Sequence, residues 1–511
     1  MNGADTAQGR RPYRAGADLS QSIVAGAAIA CLLAFAAAAV HAILTLGPWY
    51  DEFFTYYVAR PVVSWREALV AHWLPDNHPP LYYALARTTW WIGDTLEHKR
   101  LLNILLMAAT VAGAVVLVRP RPDLHRLAAL GGIALAAQDV VLRYASDYRS
   151  YFLSVCAMAL LVLALASVHA SAGVWRRRDS LVLWIAAFAA LNVHITTTIV
   201  ATAIQLPFLL RYLLARDATR FRRLAAPSLA GGLLFTLVSA IQARHWLANT
   251  GAFWLPSGWS VARWTIEILS LGVAFANPLL LAGAMVGAAL AAVALVRRQG
   301  QDAQRDLALF LAAGWVLAVA IIVAIHAWRP FIYERYLLGL VPVMTMLLAI
   351  AAEQMLARID RRLATTLVVL ASLVSVTAVW RAAATRTQNG DWTPSAALVG
   401  ATAASCRDTR VHLDLFWNRE AIEPPPPDNR RVVPFAYRTM AARHSFDIEA
   451  EASRAISSRC PTLFWAEWTR PKPWPAREIL ARIRARGFAI DRIRLYRFGR
   501  SFVAVADPVL L

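Results

Sequence analysis

Lysine is almost missing from this chain. Of 52 basic side chains in 511 residues, only Lys99 and Lys472 are lysines; all others are arginines. Charge of either sign is scarce, at 16% of residues, where a soluble domain carries about 25%. Acidic residues are scarcer still, and 32 of them leave a formal net charge of +20. Four cysteines exclude a disulfide framework. Neither lysine follows glycine, so no Walker A loop exists, and H-E-x-x-H, C-x-x-C and G-x-G-x-x-G are all missing. The absence of Asp-x-Asp removes the metal–diphosphate grip of soluble nucleotide-sugar enzymes. No basic stretch is interleaved with aromatics on a soluble platform, which excludes a nucleic-acid partner. What is abundant is apolar: 58% of residues are hydrophobic. That composition excludes a disordered chain, a coiled coil and an ordinary cytosolic enzyme, and it demands a lipid bilayer.

Arg10, Arg11 and Arg14 precede an apolar run from Ile23 to Leu46. A signal peptide's apolar region is ~7–15 residues, so a run this long reads as an uncleaved first span. Further runs follow at 101–118, 127–143, 151–170, 181–193, 195–214, 225–243, 276–296, 307–327, 337–353 and 363–380. The expected architecture is thus an α-helical polytopic bundle of about eleven spans. With residues 1–22 as a cytoplasmic tail, the cytoplasmic loops become RPRPDLHR (119–126), WRRRDS (175–180), ARDATRFRR (215–223), RRQGQDAQR (297–305) and ARIDRR (357–362), all strongly basic. The odd span count then places 381–511 on the periplasmic side of an inner membrane. Arginine placement and span parity agree.

Two segments lie outside the spans 23–380. The first periplasmic loop, 47–100, is rich in aromatics and reads as interfacial helices with Trp65, Trp73, Trp90 and Trp91 at headgroup depth. Residues 381–511 read as a soluble α/β domain: a helix at 394–405, strands at 410–416, 431–437 and 462–466, a proline loop EPPPPD, a helix at 475–486 and a hairpin-like pair within 490–506. Cys406 and Cys460 fall in this tail, where an oxidising compartment permits a disulfide; Cys31 and Cys156 read as inert span residues.

Ionisable residues at the membrane boundary are costly and so are candidates for function. Asp51 and Glu52 directly follow the first span; a capped interfacial helix is the plain alternative. In DNHPPLYYALAR (76–87), Asn77 reads as the cap of a helix, and His78, Tyr82 and Arg87 face outward with Arg100 and Asn103. In LRYASDYRSYF (142–152), helical spacing stacks Tyr144, Tyr148 and Tyr151 and pairs Arg143 with Asp147, while Arg149 enters a span. In WRPFIYERYLLG (328–339), Tyr333, Glu334, Arg335 and Tyr336 lead into the next apolar run; such an arginine either snorkels or forks around a phosphate. His194 reads as a satisfied buried histidine.

Together, Asp51-Glu52, the HPPLYY segment with Arg87, the R-x-x-N step at Arg100 and Asn103, and the elements YRSY (148–151) and YERY (333–336) resemble the polytopic glycosyltransferases of the GT-C fold. Over residues 20–355 the chain is similar to the protein O-mannosyltransferase-like group, which includes lipid A aminoarabinose transferases and core-oligosaccharide transferases. The resemblance implies a GT-C-like bundle and a polyprenyl-phosphate-linked sugar donor. It implies a hydroxyl acceptor on a glycan, lipid or protein. Asp51 would be the general base with Glu52 beside it. His78, Tyr82, Arg87, Arg100, Asn103, Arg149, Tyr151, Tyr333, Glu334, Arg335 and Tyr336 would bind substrate, with Arg335 foremost on the phosphate. No cofactor is required; a divalent metal, if one takes part, would sit on Asp51, Glu52 and His78. Two other readings stand beside it. A transporter or flippase usually carries its charges at midplane in two similar halves, whereas these spans are nearly charge-free and show no repeat. A lipid-linked oligosaccharide ligase would take a diphosphate donor.

Overall fold

The structure, a computed structural model, describes residues 15–170, 175–250, 257–296, 303–386, 391–413, 432–450, 453–467, 476–488 and 493–507. In lipid an apolar run can satisfy its backbone only internally, and each run becomes a helix. The first is α1 (Ala15–Thr45). The segment after it folds into α2 (Tyr50–Ala59), α3 (Trp65–Glu67) running into a π-helical turn (Ala68–Trp73), α4 (Leu81–Thr88) and α5 (Leu96–Lys99). Then follow α6 (Leu102–Val118), α7 (His125–Ala136), α8 (Asp139–Ala145), α9 (Tyr151–Ala170), α10 (Arg177–Asn192), α11 (Ile195–Leu214) and α12 (Ala218–Thr250). The bundle ends with α13 (Trp259–Phe275), α14 (Pro278–Val296), α15 (Ala303–Trp328), a 3-10 turn (Glu334–Leu340), α16 (Val341–Leu356) and α17 (Arg361–Thr385).

Among the described residues, eight helices are long and apolar enough to cross a membrane. Two bent pairs, α7–α8 at 75° and α13–α14 at 97°, raise that number to ten. The eleventh expected run is α10, whose 16 residues fall short on length but which packs against α9, α11 and α12 within the bundle. The α13–α14 bend sits at Asn277-Pro278, where proline cannot continue a helical hydrogen bond. Asn277 holds it, donating to Ala371 O and Ser375 Oγ at 2.8 Å each and accepting from Leu280 N–H at 3.1 Å. Helix α13 itself was not foreseen.

Close helix packing in lipid relies on small residues. At Gly287 on α14, an added Cβ would lie 1.7 Å from the Ala351 carbonyl oxygen of α16. That neighbour is backbone and cannot rotate away. Gly287→Ala is therefore expected to destabilise the bundle by about 1–3 kcal/mol, read as a lower detergent melting temperature. Gly272→Ala, whose Cβ would meet nothing within 4 Å, serves as the control.

The chain continues as α18 (Thr393–Ser405), β1 (Arg410–Leu413), α19 (Val432–Arg443), β2 (Thr462–Glu467), α20 (Ala476–Ala485), β3 (Ile493–Phe498) and β4 (Ser501–Ala506). The strands form one sheet in the order β1-β2-β4-β3, with β1 parallel to β2 and the other pairs antiparallel. The strand expected at 431–437 is helix α19 instead. Its buried Val432, Ala436, Tyr437 and Met440 recur at helical spacing, a period the short apolar run concealed. The EPPPPD loop lies outside the described residues. Cys406 and Cys460 are bonded, with Cα atoms 5.7 Å apart, and Cys31 and Cys156 are free and buried.

This α/β unit is pinned to the loop between α1 and α2. Gly47 N–H donates to Asp391 at 3.0 Å, and Trp392 N–H donates to the Pro48 carbonyl at 3.2 Å. Arg443 grips Glu97 with two hydrogen bonds of 2.7 and 3.0 Å. The Trp392 ring packs 5.5 Å from Phe53 of α2. Of the tryptophans expected at headgroup depth, Trp65 and Trp91 are exposed, but Trp73 is buried, its indole donating to Val58 O at 2.9 Å.

Candidate functional site

Helix α2 carries both carboxylates in its first turn, where acids complement the helix dipole. They point in opposite directions. Glu52 is fully buried against Arg100, with Arg100 Nε and Nη2 each 2.6 Å from one of its oxygens. It also accepts the Tyr148 N–H at 2.8 Å and the Trp49 N–H at 3.4 Å. Arg100 donates further to the carbonyls of Ile43, Leu46 and Gly47 at 3.2, 2.6 and 2.9 Å. All five guanidinium N–H groups are thus taken by protein. Neither Glu52 as a catalytic residue nor Arg100 as a substrate ligand fits this geometry. The pair is a buried pin joining α2 to the end of α1.

Three more expected substrate ligands are also structural. Asn103 is buried, and its amide donates to the carbonyls of Tyr144, Ala145 and Asp147 at 3.4, 3.0 and 2.7 Å. Arg87 donates to Arg60 O at 2.9 Å and to Val63 O, and it stacks on Trp65. Glu334 turns to Arg143 at 3.2 Å at a partly exposed rim. Arg143 pairs there and with Asp139, not with Asp147, which instead meets Arg386 at 3.4 Å. Residues 146–150 are not helical, so the expected i,i+4 spacing never forms, and Tyr148 pairs with Tyr82 rather than with Tyr151. Tyr82 is buried in that second aromatic pair, whereas its neighbour Tyr83 reaches the site.

The remaining residues do converge. Asp51 Oδ2 lies 3.0 Å from Arg335 Nη1. Arg335 is ringed by Trp49, Tyr151, Tyr333 and Tyr336, whose centroids lie 5.0–5.6 Å from its guanidinium carbon. Such a cage holds a cation while leaving its N–H fork available. Arg149 comes from the turn before α9, and its Nη1 donates to Thr55 Oγ1 at 3.0 Å and to the Asp51 carbonyl at 3.2 Å. The same tyrosine ring, Tyr151, faces Arg149 at 5.8 Å and Arg335 at 5.6 Å. Arg149 Nε, Arg335 Nε and the Tyr151 hydroxyl are all buried without a hydrogen-bond partner among the described residues. Three unmet donors around one ring form a slot for an oxyanion.

His78 closes the other side. Its Nδ1 lies 3.1 Å from Asp76 Oδ2, the same oxygen that accepts the Tyr83 hydroxyl at 2.5 Å. Burial pushes the Asp76 carboxyl up, but His78, the Tyr83 hydroxyl and Arg149 outweigh it and hold the group at about 2. His194, the N-cap of α11, meets His78 edge-on with ring centroids 5.1 Å apart and lies tilted 5.1 Å from Tyr336. Burial, followed by His78, Arg149 and Arg335, drives its pKa well below the ordinary histidine value. His194 is therefore neutral at physiological pH. Gln242 of α12 clamps the loop from beneath, donating to the carbonyls of Trp73, Asp76 and His78 at 3.1, 3.0 and 3.0 Å. Asn77 is not the N-cap of α4, which is Pro80, three residues farther on.

Asp76, Tyr83, Thr55, Gln242 and the site role of His194 were missed from sequence. The Asp-x-His spacing at 76–78 was a usable signal; nothing marked Gln242. The metal set is not assembled either, because Glu52 is taken by Arg100 and Asp51 faces Arg335. Among the described residues no group of three or more His, Cys, Asp or Glu side chains is placed to hold a metal ion.

No protein-family model matches the chain, and no curated protein matches it. Solved structures do match. The ArnT crystal structure from Cupriavidus metallidurans bound to undecaprenyl phosphate aligns at a TM-score of 0.52 and 13% identity, covering 94% of this chain and 98% of that one. The apo structure of the same protein aligns at 0.53 and 14% identity, covering 93% and 97%. A match over nearly the full length of both chains extends to the α/β unit, and the protein has the GT-C-like fold that its motifs suggested: a bundle of membrane helices carrying a C-terminal α/β domain.

Proposed function

We propose that the protein transfers a sugar from a polyprenyl-monophosphate donor to a hydroxyl acceptor at the bundle end that carries the α/β domain, on the periplasmic face. The supporting observation is the slot itself: two buried arginines with unmet N–H groups beside one accessible carboxylate. A monophosphate leaving group gains negative charge as the glycosidic bond breaks, and fixed cations placed there lower that barrier. Arginine serves without deprotonating. Asp51 accepts the acceptor's hydroxyl proton as the new C–O bond forms, and direct displacement inverts the anomeric centre. His78, oriented by Asp76, offers its free ring nitrogen to the phosphate. The fold it shares with a protein solved with undecaprenyl phosphate supports the same donor class.

Titrating detergent-solubilised protein with undecaprenyl phosphate and with undecaprenyl diphosphate tests this. The monophosphate should bind more tightly; preference for the diphosphate would favour the oligosaccharide ligase. Arg335→Ala should weaken monophosphate binding by about 2–5 kcal/mol, the usual cost of truncating one partner of a desolvated charge pair. Unchanged affinity would reduce Arg335 to an anchor of the 3-10 turn.

A further inference from the structure

We propose that a cavity enclosed by α1, α6, α7, α9, α16 and α17, at the bundle end opposite the α/β domain, binds an anionic glycerophospholipid of that leaflet, with its acyl chains inside and its phosphate on Arg119 and Arg361. This is a second lipid site, and it holds whether or not the protein transfers sugar.

Helix α1 ends at Thr45, beside the Gly47–Asp391 pin to the α/β domain, and α17 runs on into that domain after Thr385. Gln21 and Arg361, near their other ends, therefore mark the far face of the bundle. A cavity of about 920 Å³ opens there, at the upper end of the ~300–1,000 Å³ typical of ligand sites. Its wall is small and apolar, with Val24 and Ala28 of α1, Ala114 of α6, Gly132 of α7 and Met346 of α16 among the lining residues. At Gly132 an added Cβ would meet only Leu32 Cδ1, at 4.0 Å. Thr110 and Thr345 donate to the carbonyls of Leu106 and Pro342 at 2.7 and 3.1 Å, so these hydroxyls ask nothing of an occupant. Ile29 of α1 and Val115 of α6 both line the cavity and are 56% and 55% exposed, which makes the gap between these helices a side opening to the bilayer. The lining runs from Gln21 to Leu32 on α1 and from Glu353 to Pro342 on α16. Each stretch is about 16 Å long at ~1.5 Å per residue, the depth of one leaflet of a ~30 Å core.

Membrane helices hold together largely by van der Waals packing, so a cavity of this size among them calls for an apolar occupant. The mouth says which one. Arg126 is committed to Glu353 through two hydrogen bonds of 2.5 Å each, whereas Arg119 and Arg361 are exposed at the rim. Three arginines against Asp123 and Glu353 leave the mouth positive. Helices α7 and α17 also begin there, at His125 and Arg361, and the positive ends of their dipoles add to that potential. Basic pockets of this kind between membrane helices take anionic lipid heads. A phospholipid brings a phosphate for the arginines and two acyl chains for the wall. A donor lipid held at Arg335 would hang its tail from the opposite leaflet. A cavity one leaflet deep, with its charged mouth at the far face, fits a lipid native to that face instead.

The full-length protein, purified in detergent and stripped of lipid, tests this. The probes are dioleoyl phosphatidylglycerol and the matching phosphatidylcholine, with bound lipid counted by native mass spectrometry. Phosphatidylglycerol at saturation should raise the melting temperature by about 3 °C or more, and phosphatidylcholine by less than about half of that. Gly132→Leu fills the cavity and should lower phosphatidylglycerol affinity by about 10-fold or more. Ala114→Leu fills the same space from α6 and keeps the test open should Gly132→Leu melt early. Arg119→Gln combined with Arg361→Gln should weaken phosphatidylglycerol binding by about 10- to 30-fold and leave phosphatidylcholine within about 2-fold, since each arginine contributes to holding an anionic head. Phosphatidylglycerol stabilisation that persists in both filled variants would mark lipid bound around the bundle rather than in it, and would overturn the proposal. Equal affinity for the two lipids would do the same, because it removes the arginines from the site. Displacement of phosphatidylglycerol by undecaprenyl phosphate, with weaker undecaprenyl phosphate binding in the filled variants, would give the cavity to the donor's tail and overturn it as well.

Discussion

Asp51→Asn is expected to abolish most transfer while leaving the protein folded and able to hold its donor. Asparagine keeps the size and the helix-start chemistry of aspartate, so α2 should form as before. The amide has no basic lone pair at neutral pH, and the loss of a positioned base lowers turnover by roughly 10²–10⁴-fold. The structure adds a second consequence. Asp51 lies 3.0 Å from Arg335 Nη1, so the carboxylate competes with phosphate for that arginine. The asparagine variant should therefore bind undecaprenyl phosphate at least as tightly as wild type, although it turns over far more slowly. Binding titration and single-turnover transfer on the same preparation read both. Retained turnover would remove Asp51 as the base, and a parallel loss of donor binding would make it a structural partner of Arg335.

The sequence made the bundle legible because lipid leaves a chain few choices. Runs of about 20 apolar residues must be helices, and the expected runs recur as elements of the structure. The run at 181–193 is correspondingly the one that falls short as α10. The tail was readable where one period dominated, as at 394–405 and 462–466. It misled at 431–437, where a six-residue apolar stretch fits a strand or a helix equally well. The site was legible by residue type but not by direction. Sequence places Asp51 beside Glu52, and nothing in it says that one faces an arginine in a cage of rings and the other an arginine sealed in protein. The same limit applies to Tyr82 and Tyr83, adjacent tyrosines of which the second meets Asp76. The contribution of Gln242 depends on contacts across 164 residues or more of chain, and no local pattern announces it. The R-x-x-N step marks a fold-determining corner: Arg100 and Asn103 together take carbonyls from both α1 and the turn before α9.

That corner yields the sharpest contrast with Asp51. Glu52→Gln removes one charge from an ion pair that is fully buried on both sides. Arg100 cannot deprotonate, so its cation stays in the interior with three backbone carbonyls and an amide oxygen in place of a carboxylate. Breaking a buried pair by removing one partner costs about 3–5 kcal/mol, and the loss should appear as a markedly lower melting temperature in detergent and poor membrane yield. Arg100→Ala should be worse, since it strands both the Glu52 anion and the carbonyls of Ile43, Leu46 and Gly47. The double change Glu52→Leu with Arg100→Met removes both charges and should recover only part of the stability, because those three carbonyls remain without donors. The neighbouring carboxylates are then separable by measurement: the asparagine variant at 51 loses turnover at wild-type stability, whereas the glutamine variant at 52 loses stability and keeps its turnover per folded molecule. A glutamine variant at 52 that melts like wild type yet fails to transfer sugar would return Glu52 to the chemistry.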